Sequence, residues 1–184
     1  MGNPMKTLRR FFRRAARDES GSATIPFAIM VPAFLILVMS SLEMGLLMVR
    51  HVMLERGLDM AVRDLRLGFW TPPTNEELRA RICNNAGILP NCMDTLLVEL
   101  RPVSKVTWQP LASGPVCVDR AEAVQPVTTF IEGSSNDMML IRACAKFDPI
   151  FPMTGMGFHL PKDNTGAYAL VSSTAFVNEP RPGS

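Results

Sequence analysis

The chain has 184 residues, a length that suits one domain with a short appendage and excludes a two-domain enzyme with its own cofactor module. Its composition is 47% hydrophobic and 20% charged, which excludes a wholly disordered protein because enough apolar surface is present to bury. Of the net charge of +2, residues 1–24 contribute six basic against two acidic side chains, a local +4, so residues 25–184 carry −2. The basic character belongs to a tail, and no nucleic acid partner is expected.

An apolar run follows this tail. Residues 25–42 are 18 residues without a charge, and the apolar character resumes after Glu43 through Val49. At about 1.5 Å per helical residue, 18 residues reach about 27 Å, close to the roughly 30 Å hydrocarbon thickness of a bilayer. We therefore predict a basic cytoplasmic tail over residues 1–24 and a transmembrane helix over residues 25–49. A buried core helix is the alternative.

The flanking charges predict the orientation of this helix. Six basic side chains precede it, whereas the twenty residues after Val49 mix four arginines with three acidic residues. By the positive-inside rule, the N-terminus is expected in the cytoplasm and the remaining chain outside the membrane. A cleaved secretory signal peptide is the competing interpretation, although residues 38–49 contain no Ala-x-Ala site.

The helix is predicted to continue beyond the membrane, because no proline occurs between Ala33 and Thr71. Residues 50–70 form an amphipathic stem that ends near Gly68 and the prolines at 72–73. Its apolar positions recur at spacings of three and four: Leu54, Leu58, Ala61, Leu65 and Phe69. This face is expected to pack on a soluble domain formed by residues 71–184.

That domain shows mixed patterns. Thr74 and Glu77 have the spacing of a capping box, which predicts a short helix through about Asn85. Strand patterns follow at residues 95–103, 105–109, 116–119, 138–147 and 168–177, with a Gly/Pro-rich loop between the last two. The sequence therefore predicts an α+β fold, in which a long N-terminal transmembrane-plus-amphipathic helix packs on a small antiparallel β-sheet domain.

The four cysteines all follow the apolar run, in the part predicted to face an oxidising compartment, which favours disulfides. No Cys-x-x-Cys spacing suggests zinc or thioredoxin chemistry. Three connectivities are possible. We favour Cys83 with Cys92, which closes a short loop, and Cys117 with Cys144, which would join two extended segments; the sequence leaves the other two open.

Catalytic motifs are absent from the sequence: it contains no HExxH, GxSxG, Walker A or GxGxxG pattern. Cys144 with His159 is the one conceivable nucleophile and base, and a disulfide explains Cys144 more simply. We predict no catalytic, cofactor-binding or metal-binding residue, no cofactor, and a protein that is not an enzyme.

Glu43 is the ionisable residue that interrupts the apolar helix. Such a side chain costs about 3 kcal/mol near the bilayer centre and less toward the edge, so it marks an assembly contact by default. Because Glu43 lies 18 residues after Ile25, it is expected near the outer interface. Its carboxylate then either reaches the headgroup water or pairs with a neighbouring helix.

The order of these features along the chain is similar to that of a known protein family. A basic tail, a step at Gly21 and Ser22, the apolar segment SATIPFAIMVPAFLILVMSSLEMG, an amphipathic helix and a small cysteine-containing domain resemble the TadE and TadF pseudopilin-like proteins of tight-adherence (Flp) pilus systems. Pro32, the apolar run and Leu42-Glu43-x-Gly45 are similar to the helix signature of that family, and the ending at residues 176–180 is similar to that of many members.

The resemblance implies a minor, pilin-like component of a bacterial inner-membrane pilus assembly or secretion apparatus, with its domain in the periplasm. Its implied partners are the inner membrane, other pilus-assembly or pseudopilin subunits and a prepilin peptidase. That peptidase would cleave after Gly21 and leave Ser22 as the new N-terminus. The sequence departs from the pattern at Pro26, where such substrates usually carry glutamate. An uncleaved, membrane-retained subunit is therefore the other form of this hypothesis.

Two other classes share part of this pattern. A membrane-tethered periplasmic binding or sensor module would have the same topology and a ligand-sized pocket. A secreted enzyme would lose the span on maturation and would need a catalytic cluster.

Overall fold

A computed structural model describes residues 23–67, 74–107, 114–153 and 155–180. Its helices and strands follow the order α1 (Thr24–Arg66), α2 (Asn75–Ala86), α3 (Cys92–Thr95), β1 (Leu96–Val103), β2 (Met138–Phe147), α4 (Gly155–His159) and β3 (Tyr168–Val177). The strands form one three-stranded antiparallel sheet in the order β1-β2-β3. The predicted α+β fold, with a long N-terminal helix beside a small antiparallel sheet, is confirmed.

Helix α1 joins the predicted membrane segment and the predicted stem without a break. It is 43 residues long, which corresponds to about 65 Å at about 1.5 Å per residue. Pro32 lies inside the helix. The helix ends at Arg66, where the Leu67 amide donates to the Arg63 carbonyl at 3.0 Å. The predicted stop signals at Gly68 and residues 72–73, and the apolar position Phe69, lie outside the described residues.

Helix α2 begins with the predicted capping box. The Glu77 amide donates to the Thr74 hydroxyl at 3.2 Å, and the Thr74 amide donates to the Glu77 carboxylate at 2.8 Å, so two orphan donors of the helix start are satisfied. Helix α2 crosses α1 at Gly57, where a β-carbon would lie only 2.6 Å from the Ile82 carbonyl oxygen. Glycine at this position therefore sets how closely the two helices approach.

The sheet has an unbroken register on both sides of its central strand. Pairing runs from Leu96 opposite Ala145 to Val103 opposite Met138, and β2 pairs with all ten residues of β3. One face packs against α1 and α2 and forms the core, which includes Leu54, Leu58, Leu78, Ile82, Leu96, Val98, Leu100, Met139, Ile141, Ala143 and Tyr168. On the other face of β1, Glu99 pairs with Arg142 directly opposite at 2.6 Å.

Two of the predicted strands were wrong. Residues 105–107 form a turn and residues 108–109 lie outside the described residues, whereas residues 116–119 are irregular. Beyond β1, the edge position is taken by Phe130, which forms an isolated parallel bridge with Leu100. Cys117 is held by a disulfide and Val118 is buried, so the apolar character of residues 116–119 serves packing and not strand pairing. The predicted loop between β2 and β3 contains the short helix α4.

Candidate functional site

The first half of α1 has the composition of a membrane span, and the chain buries none of its most apolar segment. Its most apolar window of 18 residues has a mean hydropathy of 2.3, and 0% of that window is buried. Large side chains point outward here, with Phe27 66%, Phe34 64% and Leu37 69% exposed. A buried core helix does not fit this exposure, and the helix is long and apolar enough to cross a bilayer.

The second half of α1 is buried against the domain. Leu54, Leu58 and Ala61 are at most 1% exposed, and Val62 is 9% exposed. Partly buried Leu65 packs against the same core. Leu54, Leu58, Ala61 and Leu65 are positions that the amphipathic pattern assigned to the domain-facing side, and Val62 is an addition that it did not assign.

Glu43 lies at the junction between these two halves and is only 1% exposed. Its carboxylate accepts hydrogen bonds from the backbone amides of Ile150, at 2.9 Å, and Phe151, also at 2.9 Å. The carboxylate therefore has partners within its own chain, and its predicted assembly contact stays a prediction. Peptide N–H groups stabilise a carboxylate removed from water, but donors 107 positions away in sequence leave no local signal.

Helix α4 contacts α1 one turn nearer the N-terminus. The Met156 amide donates to the Ser40 hydroxyl at 3.3 Å, and that hydroxyl donates to the Ile36 carbonyl at 2.7 Å. Gly155 has a φ of +47°, and a β-carbon there would collide with the Ser40 hydroxyl oxygen. The chain can approach α1 this closely because residue 155 is glycine.

Arg50 fixes the domain at the other side of the junction. Its guanidinium donates to the Tyr168 hydroxyl at 2.7 Å and to the Asp148 carbonyl at 3.3 Å, and it lies 5.2 Å from the centre of the Phe147 ring. Burial raises the pKa of the Tyr168 hydroxyl above its usual range, although the hydrogen bond from Arg50 acts against this. The stem is thus attached to the end of β2 and the start of β3.

Two disulfides stabilise the domain. Cys83 bonds to Cys92 with a Cα separation of 5.7 Å, and Cys117 bonds to Cys144 with a separation of 5.2 Å. These are the pairs favoured from the sequence. Cys144 is therefore unavailable as a thiol nucleophile, and His159 stacks edge-on against Phe158 instead, with ring centres 5.3 Å apart.

A polar cleft of about 470 Å³ lies beside Arg50 and the end of β2. Its three basic side chains already hold partners: Arg120 pairs with Asp148 at 2.7 Å, Lys146 with Asp163 at 2.6 Å, and Arg50 as described above. Burial disfavours ionised Asp163, but hydrogen bonds from Lys146, Thr165 and the Ala167 amide outweigh it and hold the Asp163 pKa well below its usual range. Within the described ranges, no three His, Cys, Asp or Glu residues form a metal-binding group.

The comparison with protein families concerns the helix that carries this junction. The family model described as TadE-like protein matches residues 21–63. This segment of the chain is TadE-like. The match includes the exposed apolar half of α1, Glu43, Arg50 and most of the stem, and it confirms the resemblance noted in the sequence. No curated protein and no solved structure matches the chain.

The matched segment begins at Gly21, the residue after which cleavage is expected. Gly21 and Ser22 lie outside the described residues, so the cleavage position stays a prediction.

Proposed function

We propose that this protein is a structural or assembly component of a bacterial Tad/Flp-type pilus, a minor pseudopilin-like subunit that acts through protein–protein contacts. The observation that carries this proposal is the coincidence of the TadE-like segment with α1. One half of that helix exposes large apolar side chains, and the other half is buried against a disulfide-bonded domain. Such a subunit presents a membrane helix and a rigid domain to its partners.

The proposed location is the bacterial inner membrane, crossed once, with residues 1–24 in the cytoplasm and residues 71–184 in the periplasm. The flanking basic residues support this orientation. The two disulfides support it as well, because such bonds persist in the oxidising periplasm and are rare in the cytosol.

The work of this subunit would be binding, not bond chemistry. The contacts of Glu43, Arg50 and Leu58 fix the domain to the helix, so a displacement of the span is transmitted to the domain. Partner spans would pack on α1 through its small exposed residues Ala28, Ala33 and Gly45, because small side chains let helix backbones approach closely in lipid.

Site-specific photo-crosslinking tests the proposal. A photoreactive residue at Ala33 or Gly45 should form adducts with other pilus-assembly subunits in cells that express the complete system. The same residue at Val127, which is 94% exposed on the domain, is the matched control for non-specific capture. Adducts at residue 127 alone, or no loss of pilus assembly when the gene is deleted, would argue against a structural role of the helix.

Processing is tested separately by the mature N-terminus. A prepilin peptidase acting after Gly21 would give a protein that begins at Ser22, and its absence would give the full-length chain. Intact mass of the membrane-purified protein, with and without that peptidase, distinguishes a processed subunit from a retained one. A start beyond Ser40 would contradict membrane anchoring by α1.

A membrane-tethered binding or sensor module is the second candidate, and the polar cleft is the observation that favours it. We rank it second because the three basic side chains of the cleft are engaged with groups of the same chain. This candidate would be favoured if a periplasmic extract protected Arg120 and Asp148 from chemical modification while α1 formed no crosslink.

A further inference from the structure

We propose that the segment around α4, described over residues 149–153 and 155–161, is a second membrane contact of this protein. It would lie in the outer interface of the same bilayer that α1 crosses, with Ile150, Met153 and Phe158 against lipid. We call these three side chains the interfacial patch. The inference rests on the proposed membrane anchoring by α1 and adds a second, monotopic contact to it.

The depth of the patch follows from its contacts with α1. A hydrocarbon layer of roughly 30 Å that begins at Ile25 ends near Glu43, since each helical residue rises about 1.5 Å. Gly155 contacts Ser40 and lies next to the Ile36 carbonyl, and Ile150 contacts Glu43. These α1 residues lie between zero and about 11 Å inside that outer boundary, a depth that resembles the roughly 5–10 Å at which interfacial helices bury their apolar faces.

The composition of the segment suits lipid. Residues 149–161, PIFPMTGMGFHLP, contain no Asp, Glu, Lys or Arg. Met153 is 83% exposed, Phe158 63% and Ile150 46%. In water this exposure of three large apolar side chains on one segment is unfavourable, whereas beside α1 at the depth derived above the bilayer covers it.

Several backbone polar groups of the segment also have hydrogen-bond partners within the protein, as a water-poor environment requires. Non-helical backbone is tolerated at membrane depth only where its polar groups have partners in the protein. The Ile150 and Phe151 amides donate to Glu43, and the Met156 amide donates to Ser40. The Lys162 ammonium donates to the carbonyls of residues 152 and 157, at 3.3 and 2.8 Å.

In this arrangement Glu43 acts as the hydrogen-bond acceptor of the segment. Its carboxylate satisfies two amides of a segment that water would otherwise have to solvate, so the segment can enter the interface. Lys162, at the edge of the segment, satisfies two further carbonyls of its backbone in the same way. Two attachments to one bilayer would limit the tilt of the domain relative to the membrane.

Depth-dependent fluorescence quenching tests the inference on the full chain. In a background that carries Trp70→Phe and Trp108→Phe, one reporter is added at a time: Phe158→Trp in the patch, Phe34→Trp in the span or Val127→Trp on the domain. Each protein is reconstituted in phosphatidylcholine and phosphatidylglycerol vesicles whose acyl chains are brominated near the headgroup or near the middle.

We expect the residue 34 reporter to lose emission chiefly with bromine near the middle of the acyl chains, because residue 34 lies about 14 Å along the helix from Ile25, near the centre of the hydrocarbon layer. The residue 158 reporter should lose emission chiefly with bromine near the headgroup, and the residue 127 reporter should lose none. The loss at residue 158 should persist at high lipid-to-protein ratios, where a second copy cannot cover the patch. Met153→Trp is a second patch reporter if Phe158→Trp does not fold, since Met153 is 83% exposed.

The outcomes separate this inference from the proposal on which it rests. Quenching at residue 34 with none at residues 158 and 153 overturns the interfacial contact and leaves membrane anchoring intact. Absence of quenching at residue 34 overturns the anchoring itself. A residue 158 reporter that is protected from bromine at low lipid-to-protein ratios, and is quenched only after dilution with lipid, would assign the patch to a second copy of the chain and also overturn the inference.

Discussion

The two halves of α1 have similar local structure and opposite surroundings. In the N-terminal half, Phe34 is 64% and Leu37 69% exposed, whereas in the C-terminal half Leu54 and Leu58 are at most 1% exposed. The first half is apolar around its whole circumference, while the second carries charged side chains and buries one apolar stripe against the domain, with Val52 and Met60 left exposed. The difference shows that an apolar side chain on this helix is buried by the domain only where charged residues define an opposite, hydrated face.

The boundary between the halves is an overlap and not a point. Helix α4 reaches back to Ser40, inside the apolar window, and the segment before it contacts Glu43. Arg50 holds the domain further along the helix through Tyr168. The junction therefore spans about ten residues, or about 15 Å of helix. Over that length the helix could contact both its own domain and the membrane interface.

The largest effect should come from emptying the domain-facing stripe. Leu58→Ala removes a side chain that is 1% exposed, so it should lower the free energy of unfolding of the domain by about 2–5 kcal/mol. Leu37→Ala is the matched control, because the same truncation occurs on the same helix at a site that is 69% exposed. Denaturant unfolding of both full-length variants in detergent micelles, followed by near-UV circular dichroism, measures the difference. Equal destabilisation by both substitutions would contradict the difference in burial between the two halves of α1.

The disulfide of the central strand should have the next largest effect. Replacing Cys117 and Cys144 together by serine should cost about 3–4 kcal/mol, because the loop that the bond closes, with a sequence separation of 27, regains its freedom in the unfolded chain. The Cys83 and Cys92 pair has a separation of 9, so its removal should cost about 1 kcal/mol less. Thermal unfolding of the two double variants compares them. Unchanged melting in the first variant would contradict a stabilising role of the Cys117–Cys144 bond.

Removal of the junction carboxylate should have a smaller and local effect. Glu43→Leu removes the acceptor of two part-buried hydrogen bonds, from the Ile150 and Phe151 amides, which should cost about 1–3 kcal/mol. Hydrogen–deuterium exchange should increase at residues 149–161 and remain unchanged in β2. Glu55→Leu is the matched control, since Glu55 lies nearer the C-terminus of the same helix and its side chain is 52% exposed. Equal exchange in both variants would mean that Glu43 does not hold the segment.

The smallest effect concerns pH. The lowered pKa of Asp163 means that its contribution to stability is complete above the unfolded-state value of about 4 and is lost as the pH falls below it. Asp163→Asn should therefore reduce stability at pH 7 and flatten the decline below pH 4. Melting temperatures of the two proteins between pH 7 and pH 2.5 test this. Parallel curves would show that the Lys146–Asp163 contact contributes nothing to acid sensitivity.

The sequence by itself predicted α1, the start of α2 and strands β2 and β3, whose signals are local. The apolar length of residues 25–42, the capping box of Thr74 and Glu77, and the alternation in β2 and β3 each depend on neighbouring residues, and the structure has them at those positions. The family resemblance had the same local basis in residues 20–45, and the TadE-like match at residues 21–63 supports it. The strand patterns at residues 105–109 and 116–119 failed because a few apolar residues fit several kinds of burial equally well.

Only the tertiary structure decided what Glu43 and the segment around α4 do. A carboxylate in an apolar helix shows from sequence that a partner is needed, but the Ile150 and Phe151 amides that satisfy it lie more than 100 residues away. Gly155 shows the same limit, since its need for φ of +47° and for contact with Ser40 exists only once the loop is folded onto α1. Local periodicity is set by the geometry of one helix or strand, whereas these contacts are set by how distant segments meet.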